Sequence, residues 1–214
     1  MSINYISILI VSQVLVSSLL AQDKKKCFEK GTMVIEPGIG LGLYKITFTD
    51  KSFTPPVSGS DTAGAVLYPI GFEYGVLDWL GCGGKFSYSN YIEGDSASAE
   101  KGTGIDLGIF VRAHALRTKR MDMFAGLDFG YSHFAYDAND GSGGIARGGG
   151  TLFSFNLNSR FYFGKKWGMR LFYNFDFYNY PNIIIEDAFG NSADFSLKSK
   201  SFFLLGAGLM FKFK

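Results

Sequence analysis

Cysteine, histidine and tryptophan each occur only twice in the 214 residues, and proline five times. Two cysteines, Cys27 and Cys82, are too few for a disulfide framework. Little proline beside many short strands rich in glycine and aromatics reads as an all-β sheet closed into a barrel. Formal net charge is only +2, which gives no electrostatic case for a nucleic-acid partner. One long uncharged apolar run exists, from Ile3 to Leu20, and it closes on Ser17-Ser18-Leu19-Leu20-Ala21. It reads as a secretory signal peptide, residues 1–21, cut before Gln22. The competing reading is a single membrane anchor, since about 18 apolar residues just span a bilayer. Cys27 is not a lipoprotein cysteine, because Lys24-Lys25-Lys26 stand where small and apolar residues would be needed.

What the chain does have is glycine (28), phenylalanine (22) and tyrosine (12). Residues 151–177 show how they are used. Phe153, Phe155, Leu157, Phe161, Phe163, Trp167, Met169, Leu171, Tyr173, Phe175 and Phe177 occupy the odd positions. Ser154, Asn156, Asn158, Arg160, Arg170, Asn174 and Asp176 occupy the even ones. A period of two carried through the Gly164-Lys165-Lys166 turn predicts a β-hairpin with one apolar and one polar face.

The same period predicts strands over Thr32–Phe48, Ala63–Leu77, Leu80–Ile92, Thr103–Ala115, Met121–Tyr136 and Ser199–Lys214, eight in all with the hairpin. Connections alternate in length. Asp78-Trp79, Leu116–Arg120 and Gly164–Lys166 are short. Thr49–Thr62, Glu93–Gly102, Asp137–Gly150 and Pro181–Lys198 are long. Within the last, Asn182-Ile183-Ile184-Ile185-Glu186 suggests that strands seven and eight run on to a turn near Phe189-Gly190-Asn191. An even number of antiparallel strands with short turns at one end and long loops at the other predicts an all-β, eight-stranded, up-and-down transmembrane β-barrel over residues 32–214. Residues 22–31 form a short segment before it.

A soluble barrel turns its apolar set inward, whereas a membrane barrel turns it to lipid. Eight strands enclose an interior only just wide enough for side chains, which this many phenylalanines and tyrosines would overfill. Gly38, Gly40, Gly42, Gly71, Gly83, Gly108, Gly126, Gly206 and Gly208 lie on the other face and suit a narrow lumen. Trp79, Trp167, Phe211 and Phe213 fall at the short-turn end, and Tyr68, Tyr88, Tyr131 and Phe177 toward the other, as two interface girdles require.

With its Leu19-Leu20-Ala21-Gln22-Asp23 junction and its closing strand Leu204-Leu205-Gly206-Ala207-Gly208-Leu209-Met210-Phe211-Lys212-Phe213-Lys214, the chain resembles the small eight-stranded outer-membrane β-barrel family, of OmpA, OmpX and PorT type, in forms typical of the Bacteroidota. The resemblance implies a Gram-negative outer-membrane location, a periplasmic N-terminus and short periplasmic turns. It also implies a monomer in membrane lipid, whose closing strand is read by the barrel-assembly machinery. Lys214 follows the usual terminal aromatic, here Phe213. No cofactor, no nucleic acid and no particular protein partner is implied.

Counted from the short-turn end, Glu36, Glu73, Lys85, Arg112, Asp128, Arg160 and Arg170 fall at similar depth on the lumen faces of seven strands, predicting an interior ion-pair layer. Its expected role is a polar plug, consistent with a structural or surface-interaction protein. The alternative is a narrow gated channel. A more distant one is an outer-leaflet lipid hydrolase built on Ser132, His133 and Asp128. Adjacent strand residues face opposite ways, so Ser132 and His133 cannot pair directly, and no enzyme is expected. His114 and His133 lie at opposite ends and make no joint metal site. Asp137-Ala138-Asn139-Asp140-Gly141 lacks the distal carboxylate of a Ca²⁺ loop.

Overall fold

The computed structural model describes residues 26–92, 101–137, 144–186 and 192–213. The expected signal peptide and the expected turn at Phe189-Gly190-Asn191 lie outside the described residues. Eight antiparallel strands follow in chain order: β1 (Met33–Asp50), β2 (Val57–Gly75), β3 (Leu80–Ile92), β4 (Lys101–Arg117), β5 (Met121–Asp137), β6 (Ile145–Tyr162), β7 (Trp167–Glu186) and β8 (Ser192–Phe213). Each pairs with its sequence neighbours, and β1 closes on β8, for example Leu41 opposite Leu205 and Ile35 opposite Phe211. Closure leaves no unpaired strand edge, the condition for a sheet to stand in hydrocarbon.

Alternation decides the two surfaces. Ile39, Leu41, Ile70, Phe72, Leu107, Ile109, Phe129 and Leu209 point outward and are exposed, Ile109 by 70%. Glu36, Glu73, Asp106, Arg112, Asp122, Asp128, Arg160 and Asp176 point inward and are buried. An exposed apolar band around a polar interior is the surface of a barrel that spans lipid. Trp79, Trp167, Phe211 and Phe213 are half exposed at the short-turn end, and Tyr68, Tyr131 and Phe177 flank the other edge of the band.

The strands are longer than the periodicity predicts. β7 has 20 residues and β8 has 22, whereas a tilted span needs ~9–11. Stretches read as loop prove to be strand: 49–50 and 57–62 leave only residues 51–56 between β1 and β2, and 145–150 begin β6; β7 and β8 run on through 181–186 and 192–198, as the run at 182–186 suggests. The pattern fails there because it reverses. Past Leu43 the outward side chains of β1 become Lys45, Thr47 and Thr49. Those of β2 are Ser58, Ser60 and Thr62, and those of β8 Lys198 and Lys200. The inward ones become apolar: Tyr44, Ile46, Ala63, Phe134, Ile183, Ile185, Phe195 and Leu197. Below this level the barrel has membrane polarity, and above it the polarity of a soluble barrel.

Bulges help to set the reversal. The register shifts between Leu43 and Tyr44 against β8 and between Tyr180 and Ile183 against β8. The second shift, at Pro181, turns Ile183 and Ile185 inward after Tyr178 and Tyr180. Inside the spanning part, Phe172 fits because β1 and β8 offer it no side chains. A Cβ at Gly40 would lie 3.2 Å from its ring, and one at Gly206 would overlap it.

The reversal predicts opposite responses to one substitution. Ile109→Arg should cost about 2–4 kcal/mol, and Thr47→Arg under about 1 kcal/mol. Denaturant unfolding of protein refolded into phosphatidylcholine vesicles measures both, and equal costs would place Thr47 in hydrocarbon.

Candidate functional site

The lumen is filled in levels. Nearest the short-turn end, residues 26–32 fold beneath the strands. Gly31, at φ +81°, makes the turn, and its N–H donates to Gly75 O at 2.8 Å. The Cys27 N–H donates to Thr118 O at 2.9 Å and its thiol to Met121 O at 3.3 Å. Phe28, fully buried, stacks on the His114 imidazole with centroids 3.6 Å apart and planes 9° off parallel. The His114 ring joins Asp122 Oδ1 (2.8 Å, through Nδ1) to Glu73 Oε1 (2.8 Å, through Nε2).

Above Phe28 lies Arg160, from β6. Its Nε donates to Glu36 Oε1 at 2.6 Å, its Nη1 to Asp122 Oδ2 at 3.1 Å and its Nη2 to Glu73 Oε2. One guanidinium therefore ties β1, β2 and β5 to β6 across the lumen. Arg112 Nη1 donates to Glu36 Oε2 at 2.6 Å and to Glu73 Oε2 at 3.1 Å, and Arg170 Nη1 to Glu36 Oε2 at 3.1 Å. Three guanidinium groups face three carboxylates. Each guanidinium also lies over an aromatic ring: Arg112 over Phe110 at 3.7 Å, Arg160 over Phe124 at 4.3 Å and Arg170 over Phe172 at 4.7 Å. Paired and ringed in this way, charges can occupy a space that water cannot fill.

The seven charged residues singled out by alternation divide between two levels. Glu36, Glu73, Arg112, Arg160 and Arg170 share the network just described. Lys85 and Asp128 pair one level higher, Nζ to Oδ2 at 2.6 Å. There Asn156 Nδ2 donates to Asp128 Oδ1 (2.7 Å), Asn158 Nδ2 to Asn156 Oδ1 (2.7 Å) and Ser154 Oγ to Asp176 Oδ1 (2.5 Å). A cavity of about 30 Å³ bordered by Lys85, Asp106, Asp128 and Asp176 has room for ~1–2 waters. Higher again, Asp106 accepts Ser132 Oγ at 2.5 Å and Tyr178 Oη at 3.0 Å, and Tyr44, Tyr91, Tyr178 and Tyr180 pack ring against ring.

Asp122, His114 and Phe28 belong to the network although alternation did not single them out as members. Asp122 carried a usable signal: it lies opposite Arg160 in register. Phe28 carried none, since it precedes the first periodic segment. Ser132 is committed to Asp106 and Tyr180 Oη (2.7 Å), and His133 faces outward and is exposed, so the two form no nucleophile–base pair. Both cysteines are free. Among the described residues no group of three or more His, Cys, Asp and Glu is placed to hold a metal ion.

No protein-family model matches the sequence, and no curated protein matches it. Solved structures match in shape. The outer membrane protein OprG of Pseudomonas aeruginosa superposes with a TM-score of 0.57 at 11% identity, over 87% of this chain and 97% of its own. The outer membrane protein AlkL, solved in lipid bilayers, gives 0.53 at 14% identity, over 87% and 92%. The outer membrane protease OmpT of Escherichia coli gives 0.51 at 9% identity, over 85% and 97%. At these identities the likeness is one of fold: the chain has the architecture of the small outer-membrane β-barrels.

Arg160→Leu leaves Glu36, Glu73 and Asp122 without their shared partner and should cost about 3–5 kcal/mol of stability. The double variant Arg160→Leu/Glu73→Leu should cost less than the two single variants added together; urea unfolding in detergent micelles measures this coupling. Burial, and then the Asp122 carboxylate, push the Cys27 thiol up to about 12. In a Cys82→Ser background, maleimide should therefore modify Cys27 only after unfolding, as read by mass spectrometry.

Proposed function

We propose that this chain is an exported, monomeric outer-membrane barrel with a structural or surface-interaction role, in which the lumen residues serve as a plug and not as a pathway. The observation that carries this reading is the Arg160 hub. Six hydrogen-bonded ionic side chains and the Phe28–His114 stack occupy one cross-section of an eight-stranded barrel, and the Lys85–Asp128 level and the tyrosine level lie above it. Each ionic side chain in that section has a charged protein partner, with Arg112 Nε left unbonded, so an ion passing through would have to break several pairs at once.

In this proposal residues 1–21 direct export, and the assembly machinery engages β8 through the exposed Phe211 and Phe213. The residue 51–56 connection and the outer strand ends stand outside the membrane, where they meet other molecules. Several features support this orientation. The short turns carry the Trp79 and Trp167 girdle, and the N-terminal segment packs beneath the same end. The opposite end continues for several residues beyond the apolar band, with Lys45, Lys198 and Lys200 facing outward just past its edge, suited to an anionic leaflet surface. Nothing in the arrangement of Ser132, His133 and Asp128 favours a hydrolase.

Planar-bilayer recording tests the plug. Folded protein, verified by its heat-modifiable gel migration, should insert without producing discrete current steps in potassium chloride. Reproducible single-channel steps from the wild-type chain would replace this reading with that of a narrow channel.

A further inference from the structure

We propose that the outer end of the barrel is a blind receptor cup for a small apolar amine, a molecule with an aromatic or alkyl body and one positive charge. The cup is a cavity of about 380 Å³ bordered by strands from both halves of the barrel, within the ~300–1,000 Å³ range of small-molecule sites. Its wall is apolar: Ile46, Phe134, Ile183, Ile185 and Phe195 point into it. This apolar wall lies above the level where the outward face has turned to lysine, threonine and serine, so it cannot be serving lipid contact.

An inward apolar lining in that part of the barrel needs covering. The described side chains do not complete the covering, because Phe48 remains 45% exposed at the rim and the cavity remains among them. An apolar body of about a dozen heavy atoms would remove the lining from water. The charge follows from Asp61. Among the described residues that border the cavity it is the one carboxylate, and no lysine or arginine borders it with Asp61. It pairs in register with Ile46 and so projects to the lumen side, and its Oδ1 accepts the Thr62 N–H at 2.6 Å. A cation is attracted to such a rim, aromatic faces at Phe134 and Tyr136 add to that attraction, and a carboxylate ligand is repelled.

The floor makes the cup blind. Tyr44, Tyr178 and Tyr180 are almost fully buried below it, above the Asp106–Ser132 pair. A bound molecule is held and does not pass through. Binding in the cup does not depend on which end of the barrel faces the exterior, whereas its being blind rests on the plug proposed above.

Methyl NMR tests it, because isoleucines report both surfaces. Full-length chain, ¹³C-labelled at isoleucine δ1 methyls and placed in phosphatidylcholine nanodiscs, is titrated with 1-naphthylmethylamine and, separately, with 1-naphthoate. Saturable shifts at Ile46, Ile183 and Ile185 are expected with the amine, and weaker ones with naphthoate. Asp61→Asn should weaken the amine by about threefold and narrow its advantage over naphthoate. Ile183→Trp or Ala63→Trp, each checked for folding by heat-modifiable migration, should fill the cup and abolish the shifts. Shifts confined to the lipid-facing Ile39, Ile70, Ile105 and Ile109 would mean that the probe only dissolves in the bilayer, and would overturn the proposal. Equal affinity for amine and naphthoate would overturn the assignment of charge.

Discussion

A barrel of eight strands has to fill its own axis, and here a single guanidinium stands at the centre of that filling. Arg160 reaches Glu36, Glu73 and Asp122, which arrive from three other strands. A polar interior is imposed by the alternation, because a strand that gives its large apolar groups to lipid has only every second residue left for the inside. Polar groups taken from water need partners at once, and charged ones need them most. At the level of Arg160 three guanidinium groups meet three carboxylates, and the guanidinium groups lie over Phe110, Phe124 and Phe172. Glycines on the same faces then become necessary, since Phe172 and the arginine side chains take the volume that other inward positions give up.

The outer third obeys the same law with its sign reversed. Where lipid ends, the outside must be wet, and the alternation sends polar residues out and apolar residues in. The strands do not stop at the boundary. They exchange faces across it, aided by register shifts at Leu43/Tyr44 and Tyr180/Ile183. The tyrosines sit at the changeover, where a ring with one polar end suits both neighbours: Tyr178 gives its hydroxyl to Asp106 below and its ring to Tyr44 and Tyr180.

Most of the fold was legible from the period-two pattern. The count of eight strands, their antiparallel order, the lipid face and the three short turns all follow from it. Strand ends were not legible, and the cause is physical. Ser58, Ser60 and Thr62 look like loop to any reading that expects one polarity throughout. A count carried across Pro181 puts Ile184, and not Ile183 and Ile185, on the lumen side. For the lumen, alternation tells which residues share the interior but not their height. Height depends on strand tilt and register, so Lys85 and Asp128 were read at the level of Arg160 although they lie above it. Phe28 was beyond reach because a residue outside any periodic segment has no face to assign.

The reach of Arg160 across the lumen also bears on how the barrel comes together. Glu36 lies on the first strand and Arg160 on the sixth, 124 residues later, and β1 meets its last neighbour only when β8 arrives. Before that seam shuts, Arg160 can pair with Asp122 on the adjacent strand, but Glu36 lacks the guanidinium groups that reach it across the lumen. A half-built sheet therefore has no comfortable resting place in the hydrocarbon. The pairs that reach across the lumen to β1 are complete only in the closed ring, so the β1–β8 seam is the latch on that part of the stabilisation.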